Sequence, residues 1–344
     1  MSNPTAGGTV QSWVLRYPGT IGKDCLSLEE RPRPPLAAGE VRTRVEACAL
    51  CRTDLHIIEG EIPPHRLPLV LGHQIVARVI EVGEGVEGLA IGQRVGVPWL
   101  AGADGSCPSC RQGRENLCPA ARFTGYDQDG GYAEEAVASA DFVFPLSLQR
   151  DPLQAAPLLC GGVIGFRALR LAALEPGEPL ALYGFGSSAH MILQLAVALG
   201  HPTFVRSRGQ ERLQLAHRLG AAWVGGYDQP FPQTVAAGLV FAPAGEIVPP
   251  ALVDLRPGGR LVLAGIQMSD IPSFPYRLLY QERSLQSVAN STRADVRDFL
   301  RLADEHHLTP EAEGVPFKEL PEALSRLKCG RLTGSLVLLA APLR

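Results

Sequence analysis

Three sets of residues carry side chains able to hold a metal ion or a phosphate. Cys51-Arg52-Thr53-Asp54-Leu55-His56, then Gly72-His73-Gln74, and far downstream Leu159-Cys160-Gly161 offer a thiolate, an imidazole and a second thiolate. Two cysteines and one histidine are a known ligand set for a catalytic zinc, which keeps its fourth position open. Each alone has a plainer reading, Cys160 as a small buried hydrophobe and His73 as a satisfied core histidine. The second set is Cys107, Cys110 and Cys118, crowded into one short segment. That clustering fits metal ligation better than a disulfide framework, because unevenly spaced cysteines in a reducing cytosol stay as thiols.

The third set is Gly184-Phe185-Gly186-Ser187-Ser188-Ala189, which follows an apolar run and opens a helical segment. In that context a G-x-G-x-x-A pattern lets backbone N–H groups at a helix N-terminus approach a dinucleotide pyrophosphate. At the end of the next apolar run, where a ribose-binding acid normally stands, the sequence has Ser207 between Arg206 and Arg208. No carboxylate there repels a 2′-phosphate, and two guanidiniums with a hydroxyl attract one. NADP is the expected cofactor and NAD the alternative. A solvated arginine pair is the plainer reading.

These groups need elements to position them. Up to about residue 155, short β-rich runs alternate with Gly and Pro: Glu40 to Val45, Val70 to Val82, Arg94 to Pro98 and Glu134 to Ser139. They predict an antiparallel, barrel-like domain. From about Glu178 the rhythm becomes apolar run, glycine turn, helical segment, which is the pattern of βαβ units on a parallel sheet. Predicted strands are Leu180 to Tyr183, Thr203 to Val205, Leu239 to Ala242, Arg260 to Leu263 and Leu285 to Ala289; predicted helices are Ser188 to Leu199 and Gln210 to Leu219, each stopped by a glycine. After about Asp295 a helix and a final strand, Ser335 to Leu339, follow, too short to be a domain of their own.

At 344 residues the chain exceeds what one hydrophobic core usually serves, so two domains are expected. A formal net charge of -3, with Lys and Arg scattered, provides no footprint for nucleic acid or an anionic membrane. Met1 to Val10 lacks the apolar stretch of a targeting segment, and no apolar run is long enough to span a bilayer. A cytoplasmic protein acting on small molecules is expected.

In the order and context of these residues the chain resembles the zinc-dependent alcohol dehydrogenases of the medium-chain dehydrogenase/reductase family, over essentially its whole length. The resemblance implies a GroES-like β-barrel catalytic domain over residues 1–161, to which 295–344 return, and a Rossmann nucleotide-binding domain, a doubly wound parallel sheet, over 162–294, with the active site in the cleft. Cys51, His73 and Cys160 match the catalytic zinc ligands. Thr53 matches the hydroxyl that bonds the substrate oxygen, His56 the distal end of a proton relay, and Asp54 the acid that orients His73. Arg52 would lie near the cofactor pyrophosphate, beside Gly184, Gly186, Ser187 and Ser188. Asp104, Cys107, Cys110 and Cys118 have the spacing of the family's structural zinc lobe, with Asp104 where a fourth cysteine is usual, so two zinc ions per chain are implied.

Gln74 replaces a frequent glutamate, which implies slower ligand exchange at most. The activity implied is reversible hydride transfer between an alcohol or aldehyde and NAD(P), in a homodimer or homotetramer pairing through an edge strand near Leu285 to Ala289. Trp99 is expected in the substrate pocket, although packing explains it equally. The rival readings are a zinc-free quinone or enone reductase of the same family and a non-catalytic nucleotide-binding protein.

Overall fold

The computed structural model describes residues 8–21, 25–330, 332 and 334–340. Most of the N-terminal stretch read for a targeting segment, residues 1–7, lies outside them. Contacts divide the chain into two units: one takes residues up to Cys160, Thr292–Val296 and those from Ala312 onward, the other Gly161–Ser291 and Arg297–Glu311. Residues 297–311 were expected with the first domain. They pack in the second unit because Phe299 is fully buried there, its ring 5.6 Å from that of Phe166.

The first unit is built around the long strand Glu40–Ala49, which pairs antiparallel with Ile75–Val82, with Glu135–Ser139 and with Ser335–Leu339. Arg94–Val97 and Phe144–Pro145 extend the sheet one way and Ala312–Pro316 the other. A second small sheet joins Thr9–Leu15, Leu26–Pro32 and Leu69–Val70. The strands bury Val, Ile and Leu in one continuous core, the pattern of a folded-over antiparallel sheet whose inner face is dry. The predicted strand over Val70 to Val82 is two strands. Leu71–Gln74 breaks it, because Gly72 takes φ +92, a left-handed conformation that glycine tolerates and a strand does not.

Among the described residues the second unit has six strands, all parallel, in the order Trp223–Gly225, Thr203–Arg206, Leu180–Tyr183, Val235–Val240, Leu255–Leu263, Ser284–Ser287. Leu180–Tyr183 and Val235–Val240 are buried at every position, as strands covered on both faces must be. This is the Rossmann order. The fourth strand starts at Val235 rather than Leu239; Ala236, Ala237 and Gly238 lack the bulky side chains that signal a strand. Helix Gly161–Ala172 went unpredicted for a similar reason, since Gly161, Gly162 and Gly165 lower helix propensity. Packing requires them: a Cβ on Gly162 would sit 2.3 Å from Phe299, and one on Gly165 2.4 Å from Ile192. Among the described residues no single helix is long and apolar enough to cross a membrane.

Candidate metal centres and nucleotide loop

In the antiparallel pairing of Glu40–Ala49 with Ile75–Val82, Cys48 stands opposite Ile75. Chain leaving the first strand and chain entering the second therefore lie at the same end of the sheet. Cys51 follows the first and His73 precedes the second. Cys51 is the extended residue before helix Arg52–Ile58, and Asp54 in the first turn accepts the Cys51 backbone N–H at 2.9 Å. Cys160 ends the turn Ala156–Leu159. The ligand atoms of Cys51, His73 and Cys160 all lie within 4.8 Å of one another. Tetrahedral zinc, with bonds of about 2.0 to 2.3 Å, sets its ligands roughly 3.5 to 3.8 Å apart.

The chemistry of the set fits a cation. His73 Nδ1 is 3.2 Å from Asp54 Oδ1, while its Nε2 is buried with no hydrogen-bond partner. A buried, unsatisfied imidazole nitrogen is costly unless something such as a metal takes its lone pair. Cys51 is held well below the ordinary thiol range by the hydrogen bond from Cys160, with burial opposing; Cys160 is driven well above it by the same bond. Burial works against a charged His73, yet the Asp54 carboxylate and Cys51 outweigh it and raise its pKa to about 10. A divalent ion would displace these protons and satisfy all three groups.

Around the centre, Thr53 is buried with Oγ1 3.5 Å from the Cys51 sulfur. His56, three residues further along the same helix face, bonds Glu61 through Nδ1. Arg52 is exposed. Gln74 is buried and its amide donates to the Ala49 carbonyl at 3.2 Å.

The second cluster forms within one lobe. Asp104, Cys107, Cys110 and Cys118 again bring their ligand atoms within 4.8 Å of one another. Asp104 Oδ1 accepts the backbone N–H groups of Cys107 at 2.8 Å and Ser106 at 2.7 Å, which hold its carboxyl well below the usual carboxylate range. The sulfurs accept N–H groups too: Cys107 from Cys110, and Cys118 from Asp104 and Ala120, at 3.3–3.4 Å. Desolvation and the neighbouring sulfurs push Cys110 up to about 12. Three thiols beside a carboxylate resist ionising together unless a cation neutralises them. Glu115, buried within the lobe, anchors it by accepting the Arg293 N–H at 2.8 Å.

In the second unit, Gly184 ends strand Leu180–Tyr183 at φ +88, and a Cβ there would lie 2.9 Å from Ala242. Only glycine fits that turn. Gly186 then precedes helix Ser187–Ala198, and no atom lies within 4 Å of where its Cβ would be. Ser187 and Ser188 are half-buried in the first turn, and Ala189 is buried beneath it. The loop thus presents open backbone at a helix N-terminus, the arrangement that takes a pyrophosphate.

Two family models match the sequence: "Alcohol dehydrogenase GroES-like domain" over residues 37–148 and "Zinc-binding dehydrogenase" over 189–305. A probable alcohol dehydrogenase of Mycobacterium tuberculosis is 42% identical, with 98% of this chain and 100% of that protein aligned. The chain belongs to the zinc-binding alcohol dehydrogenase family. An alcohol dehydrogenase of Geobacillus stearothermophilus is 36% identical over 92% of this chain and 96% of its own length. The structure of a cinnamyl alcohol dehydrogenase from Sorghum bicolor superposes with a TM-score of 0.88 at 28% identity, covering 98% of this chain and 99% of that one. The protein is an NAD(P)-dependent alcohol dehydrogenase, an oxidoreductase with a GroES-like domain and a Rossmann domain.

One site assignment of this dehydrogenase needs correcting. Arg206, read as a contact for the cofactor phosphate, is buried. Its guanidinium pairs with Asp254 at 2.5 Å, donates through Nε to the Gln229 carbonyl and lies 3.9 Å over the Phe231 ring. Strand alternation turns it into the sheet's packing, where a charge needs a partner. Ser207 is buried at the strand end and Arg208 is exposed, so those two remain as candidates. Sequence reasoning also missed Phe123 and Tyr126. With Trp99, whose ring meets His73 edge-on at 4.7 Å, they form an aromatic wall beside the centre. No spacing rule connects them, because Trp99 lies between two short strands while Phe123 ends another and Tyr126 follows it in a turn.

Proposed function

We propose that Cys51, His73 and Cys160 hold a catalytic zinc, that Asp104, Cys107, Cys110 and Cys118 hold a second, structural zinc, and that NADP is the preferred cofactor. The buried His73 Nε2, which has no hydrogen-bond partner in a cluster whose ligand atoms lie within 4.8 Å of one another, carries the first of these readings. Zinc held by these three residues would supply Lewis acidity to an alcohol or carbonyl oxygen. Asp54 orients the His73 ring. Thr53 Oγ1 would bond the substrate hydroxyl and accept its proton while passing its own on through the cofactor ribose toward His56 and solvent. His56, its Nδ1 fixed by Glu61, exchanges a proton with solvent through Nε2. Trp99 lines the substrate side of the centre. Gly184, Gly186, Ser187 and Ser188 bind the dinucleotide pyrophosphate, and Arg52 assists from its exposed position.

Domain roles follow the two units, catalysis in the first and nucleotide binding in the second. The protein works in the cytoplasm, where its cysteines stay reduced. A second copy pairs along Ser284–Ser287, which bonds one neighbour only among the described strands. Metal analysis together with the absorbance rise at the nicotinamide band on adding an alcohol tests the reading. Two zinc ions per chain and an alcohol-dependent rise are expected.

The cofactor assignment makes a separate prediction. A charge-assisted contact contributes about 1.5 to 3 kcal/mol, or roughly ten- to a hundredfold in affinity. With Arg206 committed to Asp254, only Arg208 supplies that contact, so a preference of about tenfold in kcat/KM for NADP over NAD is expected. Arg208→Ala should largely abolish it, whereas Arg206→Ala should lower stability and leave the ratio where it was. A wild type that favours NAD, or a ratio unmoved by Arg208→Ala, sinks the assignment.

A further inference from the structure

Asp54 serves two groups at once. Its Oδ2 accepts the Cys51 backbone N–H at 2.9 Å and its Oδ1 faces His73 Nδ1 at 3.2 Å. A fully buried carboxylate keeps both contacts only if its rotation is fixed. The group that fixes it is the phenol of Tyr132, whose hydroxyl donates to Oδ2 at 2.7 Å. Tyr132 is itself wholly buried, and burial raises its pKa well above the ordinary tyrosine value, so it stays a donor.

The same residue also braces the loop that carries His73. Gly131 N–H donates to the Gly72 carbonyl at 2.8 Å and Tyr132 N–H to the Leu71 carbonyl at 2.9 Å. Gly72 has φ +92, and a Cβ on it would lie 2.6 Å from the Tyr132 ring. The aromatic ring thus fills the space a side chain at Gly72 would need, immediately before the histidine. We propose that Tyr132 is a positioning residue for the Cys51, His73 and Cys160 centre. Its hydroxyl locks the Asp54 carboxylate so that His73 keeps its proton on Nδ1 and presents Nε2 to the metal, and its ring holds the Gly72-His73 backbone in place.

The proposal rests on the reading that these three residues hold zinc, and chelator-driven zinc release from the full-length holoenzyme tests both. The release phase that disappears in Cys51→Ser belongs to this centre. Partners behind a ligand typically alter metal affinity about ten- to a hundredfold, so Tyr132→Phe, which keeps the ring, should speed that phase roughly tenfold and leave the other phase unchanged. Asp54→Asn should speed it too, and Tyr132→Phe added to Asp54→Asn should change little, because the hydroxyl acts through Asp54. Trp13→Phe is the control for a merely structural loss: it removes another buried hydrogen bond in the same unit, from Nε1 to the Phe317 carbonyl at 2.9 Å, and should leave release at the wild-type rate. A wild-type release rate in Tyr132→Phe, or equal acceleration by Trp13→Phe, overturns the positioning role. If no release phase depends on Cys51, the zinc reading falls and the proposal with it.

Discussion

Replacing Cys51 with serine is expected to remove one of two zinc ions and to lower turnover at least about a thousandfold, since Lewis-acid stabilisation contributes several kcal/mol and each 1.36 kcal/mol is a factor of ten in rate. The loss follows from the donor set. Serine stays protonated where the Cys51 thiol already ionises readily beside Cys160 and His73, and neutral hydroxyl oxygen is a poor zinc donor. The fold should persist, because the Cys51 backbone N–H still reaches Asp54 and the neighbouring core strands are untouched. Circular dichroism and metal analysis on the same sample separate a lost ion from a lost fold. A variant that keeps two zinc ions and turns over at the wild-type rate would show that the ion sits elsewhere.

The second large effect is expected from Cys110→Ala, which should leave one zinc per chain, the catalytic one. Closing a loop of about 15 residues contributes about 3 kcal/mol in the chain-entropy view, and at roughly 2 to 4 °C per kcal/mol the melting temperature should fall by about 10 °C. Turnover of the folded variant at 25 °C should stay within about twofold, because a closed four-ligand site has no position for substrate. Finding a single zinc in fully active wild type would remove the basis for this assignment. The lobe's own hydrogen bonds sharpen the expectation. Backbone N–H groups aimed at the Cys107 and Cys118 sulfurs hold them toward the other two ligands.

What was legible in the sequence was whatever short-range geometry dictates. Cys107, Cys110 and Cys118 meet because a lobe of that length closes on itself, so their crowding was legible, whereas Asp104 came in through the family resemblance. Gly184 and Gly186 stand where strand turns into helix, and the glycines after Leu199 and Leu219 stop their helices, because backbone conformation is a local property. The centre of Cys51, His73 and Cys160 was readable only through its family context. Three residues so far apart meet because of strand register and the turn before Cys160, neither of which spacing encodes.

Tertiary structure alone decided the rest. Nothing near Arg206 in the chain announces Asp254, 48 residues on, or Phe231, so its guanidinium looked available when it was already neutralised. Tyr132 reaches Asp54 across 78 residues, and Gly162 and Gly165 weaken a helix locally for the sake of Phe299 and Ile192 packed against it. Sequence by itself determined the turns, the local ligand lobe and the kinds of chemistry available. Which charges are already satisfied, and which side chain bonds the buried Asp54 carboxylate, depended on long-range burial, where an unpaired polar group costs more than any local preference supplies.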